Sequence, residues 1–231
     1  DLHRLCSEGI GGHSVGKRSE MYSELLRHCL YPIGERFLGT SILKNLDFVE
    51  RTQWMSSAQL KKLQENSLAE LTKHAYSNVP YYHELFERNG LTPRDVQTIE
   101  DLSRLPILTK ADIRRNFAKM IAQNHRRLRG FPNVTSGSTG EPFQYYLTMD
   151  AVSMNWACTY RGWHWADFRI GDRVVMLGGS SLVPARIPAK MRLRYILERR
   201  VPLTSLGMTK ERIRSYISAI RRTRPLYIYR Y

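Results

Sequence analysis

The stretch VTSGSTGEPF, residues 134–143, sets two glycines and four hydroxyl residues between Val134 and Phe143, with no lysine among them. A plain connecting loop needs one or two such residues. Gly137 and Gly140 let the backbone turn so that successive N–H groups can face one anion. Thr135, Ser136, Ser138 and Thr139 add hydroxyl donors around the same space. Pro142 fixes the exit into FQYYL, residues 143–147, whose composition is that of a strand. On this reading the stretch is a phosphate cradle made of backbone and hydroxyl groups, which needs no cation inside the loop. A polar hairpin turn would use the same residues, and composition alone leaves both readings open.

A second glycine-rich stretch, GGHSVGKR at residues 11–18, competes for the same role. It matches G-x-x-x-x-G-K, but Arg18 stands where such a loop carries the Ser or Thr that holds magnesium. The motif also belongs directly after a buried strand, and DLHRLCSE does not read as one. Lys17 is therefore expected to sit in a mobile N-terminal segment.

Downstream of the first loop, β-rich runs alternate with amphipathic ones. RVVML at 173–177 reads as a buried strand closed by Gly178 and Gly179. A helix is expected at about 188–199, a strand in VPLTSL, an amphipathic helix in TKERIRSYISAIRR and a last strand in PLYIY. Strand–helix–strand–helix–strand with short joints implies a parallel sheet over 173–230, because parallel neighbours need crossover connections. Ligands in such sheets lie beyond the carboxyl ends of the strands. Ahead of this unit, Asp150 is expected to cap a helix burying Val152, Trp156, Thr159 and Trp163. The late helix is expected to bury Ile213, Tyr216, Ile217 and Ile220.

Upstream, the chain reads as helical. SAQLKKLQENSLAELTKHAYSN sets Leu60, Leu63, Leu71 and Ala75 on one stripe with Leu68 beside them, capped by Ser56 or Ser57. Pro80 suits the first turn of the next helix and Gly90 its end. Thr109 followed by Asp112 has capping-box spacing. The fold class expected is α/β, an N-terminal helical segment followed by a parallel βαβ-type sheet.

Composition sets the outer bounds. The chain has 231 residues, 42% hydrophobic and 25% charged, ordinary values for a globular protein with a real core. No apolar run is long enough to span a bilayer. The opening at Asp1, with no secretory h-region, predicts a piece of something longer. Three scattered cysteines, Cys6, Cys29 and Cys158, give neither a disulfide framework nor a metal knuckle, so a reducing cytoplasm is the simplest setting. No histidine pairs with Cys, Asp or Glu at metal-ligand spacing, so no protein metal site is expected. The net charge of +15 favours anionic partners. Its late excess includes Arg186, Lys190, Arg192, Arg194, Arg199 and Arg200, then Arg212, Arg214, Arg221, Arg222 and Arg224. Helical spacing among apolar residues makes these solvated outer faces, and no nucleic-acid module is recognisable.

Taken with its surroundings, the loop TSGSTGEPF resembles the phosphate-binding loop of the adenylate-forming superfamily. More narrowly, it is similar to the phenylacetate–CoA ligase family, which includes capsular-polysaccharide relatives. HAYSNVPYYHELFERNGL, LSRLPILTKADIRRNF, FRIGDRVVML and RTRPLYIYRY carry the resemblance over most of residues 57–231. It implies an incomplete AMP-binding large domain over 57–231, preceded by a helical or mobile segment over 1–56. It further implies that a carboxylate attacks the α-phosphate of ATP, pyrophosphate leaves, and the acyl group passes to a thiol such as coenzyme A. Thr135, Ser136, Gly137, Ser138, Thr139 and Gly140 would hold the nucleotide phosphates, with Thr139 at the shell of Mg2+. The partners implied are ATP and a small carboxylate, with no catalytic side chain assigned and a homodimer left open. The competing reading is a non-catalytic basic interaction protein.

Three departures stand out. Many relatives carry lysine at the position of Glu141 or Phe143, and Tyr-Gly-Tyr is expected where this chain has Tyr229-Arg230-Tyr231. The family's adenine motif, ribose-binding aspartate and late lysine have no counterpart within these residues. His164, between Trp163 and Trp165, is expected to pack in an aromatic cluster, Tyr81 and Tyr82 to pack between helices, and Asp172 to serve a turn.

Overall fold

The computed structural model describes residues 21–135, 143–179, 183–184 and 186–230. In chain order its helices are α1 (Tyr31–Leu38), α2 (Ile42–Thr52), α3 (Ser57–Asn78), α4 (Pro80–Arg88), α5 (Lys110–Met120), α6 (Met149–His164), α7 (Ala189–Leu197) and α8 (Lys210–Thr223). The strands are β1 (Phe131–Val134), β2 (Gln144–Leu147), β3 (Val174–Gly178), β4 (Arg200–Thr204) and β5 (Tyr227–Arg230). A π-helical turn, Leu26–Leu30, leads into α1. Backbone contacts separate two compact units, one from residues 47–153 and one from the described parts of 1–46 and 154–231.

In the unit of residues 47–153, local signals set the helix ends. Ser56 Oγ accepts the Gln59 N–H at 3.3 Å while Gln59 Oε1 accepts the Ser56 N–H at 2.9 Å, a reciprocal cap on α3. Thr109 and Asp112 cap α5 in the same way, at 3.2 and 3.1 Å. Pro80 opens α4, and Gly90, with φ +62°, follows its end. The core gathers Phe86, Leu91 and Val96, flanked by Tyr76 and Leu105. The expected stripe on α3 needs correction. Leu71 is 62% exposed, and the buried position is Thr72. The Thr72 hydroxyl donates to the Val96 carbonyl at 3.3 Å, so this face of the helix meets backbone acceptors as well as apolar side chains.

In the other unit, β4, β3 and β5 form a parallel sheet with β3 in the middle. Val175 lies opposite Val201 on one side and Ile228 on the other. α7 links β3 to β4 and α8 links β4 to β5, so the expected βαβαβ order is borne out. Val174, Val175 and Met176 are fully buried, as a central parallel strand requires.

Several expected faces are rotated. Thr148 Oγ1 accepts the Ala151 N–H at 3.2 Å, so Thr148 serves as the cap and Asp150 stands inside the first turn of α6. α6 buries Ser153, Ala157 and Tyr160, leaving Val152, Trp156, Thr159 and Trp163 half-covered. On α8, Ile213 and Ile217 are exposed, while Tyr216 and Ile220 are half-buried. The Tyr216 hydroxyl donates to the Thr204 carbonyl at 2.9 Å and sets that rotation. Arg212, Arg214, Arg221 and Arg222 are exposed as expected. Arg194 and Arg200 are not: the first is half-buried and the second fully buried. Arg230 lies in extended strand paired with Leu177, so no glycine-only conformation arises there.

Candidate functional site

β1 and β2 form an antiparallel ladder that runs from Phe131 opposite Leu147 to Val134 opposite Gln144. One step further, the Thr135 N–H donates to the Phe143 carbonyl at 2.9 Å. The Phe143 N–H donates back to Thr135 Oγ1 at 3.1 Å. Both ends of the glycine- and hydroxyl-rich loop are therefore pinned side by side. Thr135 is exposed, and its hydroxyl, having accepted from Phe143, still has its own proton to donate. Ser136, Gly137, Ser138, Thr139, Gly140 and Glu141 lie outside the described residues, as does GGHSVGKR. The sequence reading missed β1 altogether. Pro132 has no N–H for a ladder and Asn133 is a turn residue, so FPNV carries no strand signal; a two-stranded ribbon is all edge and tolerates both.

Beside this hairpin, in the same unit, lies an apolar pocket of about 290 Å3 lined by Phe117, Met120, His125, Phe143 and Tyr146 among others. The Phe117 and Tyr146 rings stand 6.3 Å apart, and His125 meets Tyr146 edge-on at 5.7 Å. Phe143 also stacks on Tyr145 at 6.4 Å. Phe143 thus contributes to an aromatic wall of this pocket. Among the described residues no group of three or more His, Cys, Asp or Glu could hold a metal ion. Thr139, the residue expected at the shell of Mg2+, lies outside the described residues.

The remaining expectations resolve locally. Tyr81 and Tyr82 meet edge-on at 5.4 Å. Asp172 Oδ2 accepts the Arg169 N–H at 2.7 Å, closing a turn before β3. His164 is half-buried, but Trp165 beside it is 74% exposed, while Trp163 packs on Phe168 and Tyr229 at 4.9 and 4.7 Å. Cys29 and Cys158 are exposed free thiols. No helix among the described residues is long and apolar enough to cross a membrane.

The sheet unit holds a buried charge cluster that the sequence reading did not foresee. Glu198 receives Arg194 Nε at 2.7 Å and faces Arg200 Nε at 2.6 Å. Arg194 also donates to the Tyr31 hydroxyl at 2.9 Å, and Arg200 donates to the Tyr160 hydroxyl. The Arg200 guanidinium lies 4.9 Å from the Trp156 ring centre and 5.2 Å from that of Tyr160. Burial pulls Arg200 down, to about 10. Burial also works against the charge of Arg194, but Glu198 and Tyr31 beside it outweigh that and hold it above its ordinary value. Burial and the neighbouring Glu198 push the Tyr31 phenol up, so it stays neutral. One carboxylate thus faces two guanidiniums. Lone arginines amid apolar residues suggest solvated faces, and only tertiary packing shows otherwise.

No family model matches the chain. Among curated proteins it is 28% identical to a phenylacetate-coenzyme A ligase of Aromatoleum evansii over 166 residues, covering 71% of this chain and 37% of that protein. It is 27% identical to Protein CapK of Staphylococcus aureus, covering 72% of this chain and 36% of that protein. The fold matches that of 2-hydroxyisobutyryl-CoA ligase, crystallised with 2-HIB-AMP and CoA, with a TM-score of 0.53 and 19% identity over 75% of this chain and 37% of that one. The chain therefore spans little more than a third of the length of these relatives. The match is a partial one, to their N-terminal part.

Proposed function

We propose, from this similarity to the N-terminal part of phenylacetate-CoA ligases, that the chain is the phosphate-binding part of an ATP-dependent, AMP-forming ligase. In that reaction a carboxylate oxygen attacks the α-phosphorus of ATP, the bond to the bridging oxygen breaks, and pyrophosphate carries the electron pair away. The acyl group of the resulting adenylate then passes to an acceptor, with coenzyme A as the candidate. Residues Thr135 to Gly140 hold the β- and γ-phosphates and stabilise the charge that builds on pyrophosphate as it leaves. The pinned pair Thr135–Phe143 supports this role, since a loop with fixed ends loses less freedom when it closes on an anion. Mg2+, when bound, would offset phosphate charge.

The observation that carries the reading is the Thr135–Phe143 pair, which holds the two ends of the glycine- and hydroxyl-rich stretch side by side beyond the β1–β2 ladder. The test is carboxylate-dependent ATP–pyrophosphate exchange in the natural full-length protein, across a panel of aryl and alkyl acids. Thr139→Ala combined with Gly137→Val should cripple exchange. Loss of one such donor alone costs roughly a hundredfold, and a β-branched side chain blocks close approach of the phosphates. Lys17→Ala should leave exchange unchanged. The opposite pattern would move the phosphate site to residues 11–18.

A further inference from the structure

The unit that carries the parallel sheet also contains an apolar groove of about 330 Å3 between α7 and the stretch from the π-helical turn through α1. Leu26, Leu30, Leu38, Leu193 and Leu197 are among its walls. Phe37 and Leu193 stand at its rim, 83% and 59% exposed. Large apolar side chains left this open beside a concavity mark a binding site more often than a plain surface. The π-helical turn supplies Leu26 and Leu30; such widened turns recur at functional sites.

The polar groups along the groove are few and one-sided. Glu35, on the α1 side, accepts through Oε1 from the first amides of α2, Ile42 and, at 3.3 Å, Leu43. Glu198 is matched by Arg194 and again by Arg200. Among the described residues the second guanidinium of that cluster shares this carboxylate and has no other, and Tyr31 stays neutral. Lys190 lies one turn before Arg194 on the same face of α7, exposed and without an acidic partner among the described residues. Arg194 bonds through Nε and Nη2, which leaves Nη1 over. On the α7 side Lys190, Arg194 and the neighbouring Arg200 face the single carboxylate of Glu198, and an apolar cleft with one positive side complements a molecule with an apolar tail and an anionic head.

We propose that this groove binds a single-chain carboxylate amphiphile, its tail along Leu26, Leu30 and Leu197 and its head on Lys190 and Arg194. At roughly 30 Å3 per heavy atom, the share a water takes in its liquid, the groove holds about eleven atoms. A ten-carbon acid, whose ten carbons fit that space with the carboxylate at the open end, is the probe. The inference is independent of the ligase reading, because its readout is binding and needs no turnover.

Gly34 gives a clean test. It lines the groove, and a Cβ built on it meets no atom within 4 Å. Gly34→Leu therefore starts from an unobstructed Cβ and extends its side chain into the cleft, and leucine favours the helix it sits in. Isothermal titration of the protein should show one decanoate per chain, with decan-1-ol weaker by about tenfold because a charged head gains charge-assisted bonds. Butanoate, short of six methylenes, should be weaker by more than about a hundredfold. Gly34→Leu should abolish binding while its far-ultraviolet dichroism and melting temperature match or exceed those of the parent. Lys190→Glu should weaken decanoate and leave decan-1-ol unchanged. The proposal is overturned if decanoate does not saturate, if Gly34→Leu binds as the parent does, or if the alcohol equals the acid. Binding to vesicles of anionic phospholipid without binding of free decanoate would also overturn it, in favour of a membrane-surface contact.

Discussion

Replacing Glu198 by glutamine keeps the side-chain shape and removes one buried negative charge. Glu198 is 3% exposed and Arg200 5% exposed, so water does not make good the loss to Arg200, whereas the Arg194 side chain, 21% exposed, is partly compensated. With Glu198→Gln, Arg194 keeps a hydrogen-bond acceptor and the neutral Tyr31, and Arg200 keeps Tyr160 and its aromatic neighbours. Both lose the one carboxylate that pairs with them among the described residues. Breaking a buried ion pair from one side costs about 3–5 kcal/mol. The amide can still accept from Arg194, which places this change near the lower end, about 3 kcal/mol. For a chain of this size that is a fall in melting temperature of roughly 6–12 °C. Urea unfolding followed by tryptophan fluorescence is the assay, since Trp156 and Trp163 lie within 6 Å of the Arg200 guanidinium. The midpoint should fall with the slope unchanged. Adding Arg200→Met should then restore part of the loss, because it removes the stranded charge and offers a flexible apolar side chain to the same rings. A loss below about 1 kcal/mol, with no gain from Arg200→Met, would refute the claim that this cluster is held by its one carboxylate.

Arg224 ends α8 in the left-handed region at φ +45°, where a Cβ is strained. Arg224→Gly should stabilise the protein by about 1 kcal/mol, read as a higher urea midpoint; a lower midpoint would show that its side chain matters more than its backbone. On the acid side, Thr92, Thr98 and Thr109 bond to Asp95, Asp101 and Asp112 and hold these carboxyls below their ordinary values. A lowered folded value gives stability that is present above about pH 4, the ordinary aspartate value, and is lost as pH falls through the folded one. The urea midpoint should therefore drop between about pH 5 and pH 3, and drop less in Asp95→Asn/Asp101→Asn/Asp112→Asn. Equal drops in the two proteins would rule these three groups out as the source.

Features decided by neighbours in sequence were the legible ones. Ser56 with Gln59, Thr109 with Asp112, Pro80 and Gly90 mark helix ends through contacts a few residues long. The Val174–Met176 run, fully buried, announces a central strand by composition. Features decided by distant partners were not legible. Thr72 is buried because it meets Val96, and α8 is rotated by the bond from Tyr216 to Thr204. Glu198 and Arg200 are two residues apart, across a helix end and a strand start, where no periodicity pairs them. At the candidate site the strand β2 that follows the loop was legible in FQYYL, while residues 136–142 lie outside the described residues. The flanking strand β1 was not legible, because Pro132 and Asn133 argue against a ladder that only β2 provides.

The division of the chain has a consequence for how it is made. Residues 47–153 are continuous, so that unit can gather its contacts as soon as they have left the ribosome. The sheet unit cannot. Tyr31 must wait for Tyr160, Arg194 and Glu198, partners more than a hundred residues behind it. Until then Leu26, Leu30 and Leu38 have none of the α7 residues to cover them, and this stretch of nascent chain exposes apolar surface until α7 has been made. Early residues left waiting in this way are where a holding chaperone would be expected to act, and where slowed elongation would do most harm.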